Sequence, residues 1–236
     1  MKNKLINGAK ELGINLSDDS ANKLLLYMKL LIEWNEKINL TAITQPDDVI
    51  TKHFLDSMSV FNTKYIKDTD TVIDVGTGAG FPGLVLKIVK PDLKITLLDS
   101  LEKRLNFLKA VCNELDINDI TFIHSRAEDA GKNLLYREKY DVAIARAVAN
   151  MSVLSEYLIP FVKKEGYFIA MKGPLASEEL DIGKNAITTL GGELDKVCEV
   201  KIPYTDLNHK IVAVKKVKFT PKQYPRKAGT PVKNPL

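Results

Sequence analysis

TVIDVGTGAGFPG, Thr71 to Gly83, decides how the rest of the chain is read. The β-branched run Thr71 to Val75 has the character of a buried strand, and it breaks into Gly76, Gly78 and Gly80 within five residues. Phe81 and Pro82 then open an apolar helical pattern that lasts to Val89. Strand, glycine turn and helix begin a βαβ unit, and in open α/β sheets the ligand sits at the C-terminal edge of such strands. Glycine suits that turn because the backbone passes through positive φ and a ligand approaches without meeting a Cβ. Free N–H groups in the first helical turn are available to a carboxylate or phosphate.

The alternation continues downstream. Lys94 to Asp99 is a second strand, and Asp99 stands at its C-terminal end, 23 residues after Gly76. An acid there accepts hydrogen bonds from ribose hydroxyls, so Asp99 predicts a nucleoside-bearing ligand. Ser100 is placed to cap a helix over Leu101 to Leu115. A short third strand, Ile120 to Ile123, leads to His124-Ser-Arg-Ala-Glu-Asp129, where Ala127 and Glu128 reach the same sheet edge. The fourth strand, Asp141 to Val148, carries Arg146 near its end, and the fifth, Gly166 to Met171, runs into Lys172. A charge that interrupts an apolar strand end is costly without a partner or ligand. Strands over Glu193 to Ile202 and Lys210 to Val217 lack a long helix between them and predict a single antiparallel edge strand. The whole is a mostly parallel sheet with helices on both faces.

Two ligands fit the glycine turn. Gly78, Gly80 and Gly83 match the dinucleotide spacing G-x-G-x-x-G, but the strand ends at Val75, so the first turn glycine is Gly76. Counted from Gly76 the spacing is G-x-G-x-G with Asp74 before it, which resembles the motif of class I methyltransferases that use S-adenosyl-L-methionine. That resemblance implies a Rossmann-like seven-stranded sheet and gives Asp74 the task of holding the loop or the cationic methionine end. A nicotinamide-dependent oxidoreductase on the same sheet is the alternative, and a non-catalytic assembly factor that keeps the pocket is a third reading.

The 236 residues suffice for one α/β domain with an appended helical segment, and 45% apolar with 27% charged residues is ordinary globular composition. No apolar run is long enough to span a bilayer, and the N-terminus lacks a signal-peptide core. The two cysteines, Cys112 and Cys198, have no metal-ligand spacing; no metal and a reducing cytoplasm are expected. The net charge of +4 is unevenly spread. Lys215 to Leu236 holds seven basic residues and no acid, leaving 27 basic against 30 acidic residues elsewhere. A basic tail on a slightly acidic body suits a polyanion partner, although a solvated extension fits equally well. The boundaries expected are a helical segment 1–66, a core 67–217 and a basic tail 218–236. Deleting Lys215 to Leu236 is expected to weaken RNA binding more than cofactor binding.

Ahead of the core, Ser17 is an N-cap for a helix from Ala21 to Ile38, whose end reads WNEKINLT. Then comes KHFLDSMSVF, with His53 and Asp56 three residues apart on one helix face, placed to position a substrate or to tie the segment to the core. WNEKINLT, HFLDS, DVGTGAGFPG, LLDSLEKR, SRAED, ARAV and MKG, in that order from Trp34 to Lys172, closely resemble the ribosomal small subunit methyltransferase G family, also called the glucose-inhibited division protein B family. The resemblance implies methylation of a guanine N7 in 16S rRNA, with 16S rRNA or the small subunit as partner of a monomeric enzyme. It also implies cofactor contacts at Gly76, Phe81, Ala127, Glu128 and Arg146. Asp74, Gly78, Gly80 and Asp99 complete the expected cofactor set, and Arg146 and Lys172 are the candidate catalytic donors to guanine O6 or a phosphate.

Overall fold

The computed structural model describes residues 1–174, 176–206 and 208–236. Seven strands form one sheet: β1 (Thr71–Val75), β2 (Lys94–Asp99), β3 (Ile120–His124), β4 (Tyr140–Arg146), β5 (Val162–Lys172), β6 (Gly192–Lys201) and β7 (Asn208–Lys216). Their order across the sheet is β3-β2-β1-β4-β5-β7-β6. The first five are parallel, and β7 is antiparallel to both β5 and β6. The antiparallel strand is therefore interior, and β6 forms the edge, unlike the sequence expectation. The reason lies in composition. Ile211 to Val214 of β7 are consecutively buried, which requires cover on both faces, whereas β6 is largely exposed.

Two apolar layers sandwich the sheet, because successive strand residues face opposite sides. In β1, Val72 joins one layer and Ile73 and Val75 the other. The first layer is built with α1 (Lys2–Glu11), α2 (Asp18–Ile38), and the run α3 (Pro46–Val49), a π-helical stretch (Ile50–Leu55) and α4 (Asp56–Met58). Leu5, Leu24, Leu31, Ile50 and Phe54 from this segment share a core with Leu84 and Val85 of α5 (Gly83–Val89) and Phe107 of α6 (Glu102–Glu114). The second layer is α7 (Ala127–Ala130), α8 (Met151–Leu158) and α9 (Ala176–Thr189), with Leu154, Leu158, Leu180 and Ile187 against the sheet. Ser17 caps α2 as its position predicts, accepting from Ser20 N at 3.0 Å. Ser100 does not cap α6; Asp99 Oδ1 accepts Leu101 N–H at 2.9 Å in its place. No helix among the described residues is long and apolar enough to cross a membrane.

The basic tail returns to the body. Arg137 donates to the carbonyls of Thr220 at 2.8 Å and Tyr224 at 2.7 Å. The buried Lys216 Nζ donates to Ile159 O at 2.9 Å and lies 3.1 Å from Glu138. Arg226 grips the carboxylate of Glu156, which is 0% exposed, through Nε at 3.0 Å and Nη2 at 2.6 Å, while its backbone N donates at 2.7 Å. Beyond this anchor a short helix, α10 (Thr230–Lys233), packs on α8.

Candidate active site and cofactor cleft

The C-terminal ends of β1, β2, β3 and β4 border a cleft of about 640 Å³. Val75, Gly76, Leu98, Asp99, Ala127, Glu128 and Val148 line it, with Tyr157 from α8 and Gly229, Val232 and Lys233 from the tail. Arg104 and Arg126 stand on its walls. A second cleft of similar size, beside Glu11, Cys198 and Tyr204, touches none of these strand ends.

Gly76 turns the chain out of β1 at φ 72°, and a Cβ there would sit 3.0 Å from Val148 Cγ2. Its N–H is fixed on Leu98 O at 2.8 Å. Gly80, at φ 95°, is required for a different contact. A Cβ would meet the Tyr27 hydroxyl at 2.5 Å and Leu108 Cδ2 at 2.7 Å, so this glycine seats the loop on α2 and α6 rather than on a ligand. Gly78 offers its N–H to Asp99 Oδ2 at 2.9 Å.

Asp74 is buried beneath the turn. Its Oδ2 accepts from Thr77 Oγ1 at 2.7 Å and from Gly83 N at 2.8 Å. The N-terminus of α5 is thus met by the chain's own carboxylate, and of the two tasks expected for Asp74 the loop-holding one is in place. Its Oδ1 is buried without a partner among the described residues. Burial pushes its pKa up to about 6, against the hydrogen bonds from Thr77 and Gly83. Asp99, also buried, accepts Leu101 N on Oδ1 and Gly78 N on Oδ2, with Arg104 Nη1 at 3.3 Å. Oδ1 uses a single bond and keeps a lone pair for a hydroxyl.

Arg146 lies at the end of β4 but faces the helical segment. Its Nη1 donates to Lys52 O at 2.9 Å and Asp56 Oδ2 at 2.7 Å, its Nη2 reaches His53 Nδ1 at 3.0 Å, and its guanidinium lies 5.1 Å from the Phe81 ring centre. His209 of β7 completes the cluster, Nδ1 to Asp56 Oδ1 at 2.6 Å. Phe81 is stacked on His53 at 4.3 Å. Burial and then the Arg146 charge push His53 down to about 4. Asp56 resists burial: the His209 hydrogen bond and Arg146 hold its carboxyl below the usual range. The Asp56 hydrogen bond raises His209, against its own burial. The π-helical stretch presents Lys52 O and His53, a recurrent use of that geometry, and Asp56 follows as the first residue of α4. Of the two tasks open to His53 and Asp56, tying the segment to the core is the one observed. Lys172 Nζ donates to Ala149 O and lies 2.7 Å from Glu179 Oε2.

The structure therefore gathers Gly76, Asp99, Ala127 and Glu128 on the cleft. Asp74, Gly78 and Gly80 build the turn behind it, and Phe81, Arg146 and Lys172 serve neighbouring clusters. His209, Tyr157 and the Gly229–Lys233 stretch escaped the sequence reading, since nothing local marks them. Arg104 was visible in the first turn of α6. Ala147, left-handed at φ 53° between Arg146 and the cleft-lining Val148, marks strain at the same edge.

A nucleoside fits these walls: a carboxylate with a spare lone pair at Asp99, apolar Leu98, Ala127, Val148 and Tyr157 for a flat base, and a volume within the ordinary ligand range. Strand order, glycine turn and strand-end acid together define a class I methyltransferase that uses S-adenosyl-L-methionine. Solved structures share the fold: a point mutant of the 16S rRNA (adenine(1408)-N(1))-methyltransferase from Catenulisporales acidiphilia with cosubstrate SAM (TM-score 0.53, 16% identity, 64% of this chain and 87% of that one) and M. jannaschii TYW2 in complex with AdoMet (TM-score 0.52, 13% identity, 69% and 77%). The family model for rRNA small subunit methyltransferase G (GidB) matches residues 20–208. Curated relatives named ribosomal RNA small subunit methyltransferase G are 51% identical over 100% of both chains in Alkaliphilus metalliredigens and 54% identical over 95% of this chain and 94% of the other in Clostridium perfringens. The chain belongs to the rRNA small subunit methyltransferase G family, as the sequence resemblance implied. It is a methyltransferase with S-adenosyl-L-methionine as cofactor, which sets aside the nicotinamide and non-catalytic readings.

Proposed function

We infer that the enzyme methylates N7 of a guanine in a loop of 16S rRNA, working as a cytoplasmic monomer on the RNA or the small subunit. The observation that carries this reading is the composition of the cleft in a chain of this family: a nucleoside site whose described walls hold no His or Cys. Guanine N7 has a free lone pair at neutral pH, so no proton need be removed and no general base is required. The cofactor supplies an electrophilic methyl on a sulfonium. The chain contributes position and electrostatics around a positive charge that moves to the purine.

Asp99 and Glu128 are assigned to the nucleoside, Arg104 and Arg126 on the cleft walls to phosphates. Arg146 keeps its Nε–H free of a protein acceptor among the described residues while Asp56 and Lys52 O hold Nη1 and His53 meets Nη2, so it is the better of the two candidate donors to O6. That donor must leave N7 open, unlike the usual bidentate arginine on guanine. In A-form RNA N7 lies in a groove side chains hardly enter, so the target is a loop base or one turned out of the stack. The test is methylation of small subunits lacking the modification, and of naked 16S rRNA, with a labelled methyl donor and cleavage mapping of 7-methylguanine. Label at one guanine is expected; label on another base, or none on either substrate, overturns the reading.

A further inference from the structure

The sequence leaves the tail between a polyanion partner and a solvated extension, yet its end lies on the cofactor cleft. Gly229 N donates to Glu128 Oε1 at 2.8 Å, and Gly229, Val232 and Lys233 line the same cleft as Gly76 and Asp99. Glu128 is buried, and its Oε2 has no protein partner among the described residues. The tail amide thus fixes the carboxylate by one oxygen and leaves the other free to accept from an amine. Val232 is 62% exposed although it forms part of a ligand cleft, an apolar side chain that protein does not cover. Two features hold the stretch in place. Arg226 is clamped on Glu156 three residues earlier, and Gly229, at φ 82°, adopts the left-handed turn that aims its N–H at Glu128.

We propose that Gly229–Lys233 is part of the cofactor site: Gly229 is a positioning residue that orients Glu128 toward the exocyclic amine of the adenine, and Val232 covers the nucleoside. The inference rests on the adenosylmethionine reading of the cleft. It runs against the expectation that loss of the tail weakens RNA binding more than cofactor binding. A deletion starting at Lys215 would also cut into β7, so the informative truncation ends at Lys227, keeps the Arg226–Glu156 clamp and removes residues 228–236.

Binding of S-adenosylhomocysteine to the full chain and to this truncation is measured by calorimetry and by dissociation rate. RNA affinity without cofactor and the ligand-free melting midpoint are measured in parallel. The truncated protein is expected to bind the nucleoside at least tenfold more weakly and release it faster, with RNA affinity changed less than threefold. Its preference for S-adenosylhomocysteine over the deaminated S-inosylhomocysteine should narrow, which a purely structural tail would not cause. Equal nucleoside affinity in both proteins, or lost RNA affinity with the nucleoside affinity kept, overturns the proposal; failure of the full chain to bind overturns the cofactor reading instead. Val232→Asp, at an exposed side chain, guards against misfolding of the truncation. It should weaken the nucleoside at least threefold at an unchanged melting midpoint, and unchanged affinity counts against the proposal.

Discussion

The C-terminal edge of the sheet has two halves made of opposite materials. Over β1, β2 and β3 the chain leaves the strands in tight turns, and Gly76, Asp99 and Ala127 open on a cleft. Over β4 and β7 the same edge is closed by charge: Arg146 and His209 converge on Asp56, and His53 is pressed on Phe81. Residues that read alike along the chain, each a polar or aromatic group at a strand end, therefore divide into those that face a ligand and those that fix the helical segment to the core. Arg146 tests the division because its Nη1 and Nη2 are spent on the lock while its Nε–H, free among the described residues, is the proposed donor to the ligand.

Arg146→Ala should have the largest effect. It strips the cation from Asp56, whose side chain is 2% exposed, and leaves His209 as its remaining charged partner. Breaking a buried pair from one side costs about 3 kcal/mol or more, and in a chain of this size each kcal/mol moves the melting midpoint by about 2–4 °C. A fall of roughly 6–12 °C is expected by calorimetry, together with a strong loss of methyl transfer. An inactive variant that melts like wild type would move Arg146 to the ligand-facing half; unchanged melting and turnover would remove it from both.

One buried group from each half, Asp74 and His53, titrates in the opposite direction to the other. Asp74, beside Asp99 and Arg146, is raised to about 6 by burial. Its folded pKa exceeds the unfolded value, so its contribution to stability is present at low pH and is lost as pH rises through 6. His53, beside Arg146 and Asp56, is lowered to about 4 by burial. Its contribution is present above the unfolded value near 6.5 and lost as pH falls toward 4. Between pH 6.5 and 4 they offset each other. Asp74→Asn should remove one side of that balance, so that denaturant-derived stability falls by about 2 kcal/mol more than wild type on going from pH 7 to pH 4. Parallel profiles would show that Asp74 is ionised throughout.

Asp99→Asn addresses the open half alone. Exchanging a carboxylate for an amide weakens charge-assisted hydrogen bonds worth roughly 1.5–3 kcal/mol. Cofactor affinity should fall tenfold or more by calorimetry, with the Arg146 cluster untouched and the melting midpoint lowered by only a few degrees. An unchanged affinity would place the ribose elsewhere in the cleft.

The open half was legible in the sequence because its signals are local. Strand, turn and acid lie within about thirty residues, and Gly76, Asp99, Ala127 and Glu128 follow from where each strand stops. The closed half was not, because its contacts are remote: His209 meets Asp56 across 153 residues, and the tail's part in the open half is hidden for the same reason, since Gly229 meets Glu128 across 101. No periodicity encodes such pairs. Arg146 shows the limit from the other side, since a charge at a strand end announces that it needs a partner without saying which. The position of β7 was readable in principle, as four consecutive buried apolar residues belong to an inner strand.

Lys172 carries the smallest expected effect and the sharpest question, for the sequence makes it a catalytic donor. In the structure its ammonium holds Ala149 O, next to the cleft-lining Val148, and Glu179 Oε2 at 2.7 Å. Glu179 is 30% exposed and can be rehydrated when the cation is removed, so the ion pair itself contributes about 1 kcal/mol or less. What Lys172→Met removes is chiefly the restraint on the turn between β4 and α8, and through that turn the wall that Val148 gives the cleft. Steady-state kinetics should show KM for the cofactor rising about two- to threefold, the effect of about half a kcal/mol, with kcat little changed. A tenfold drop in kcat at an unchanged cofactor KM is the opposite result. It would mean that the ammonium leaves Glu179 to meet the RNA, and the open half would then extend to the end of β5.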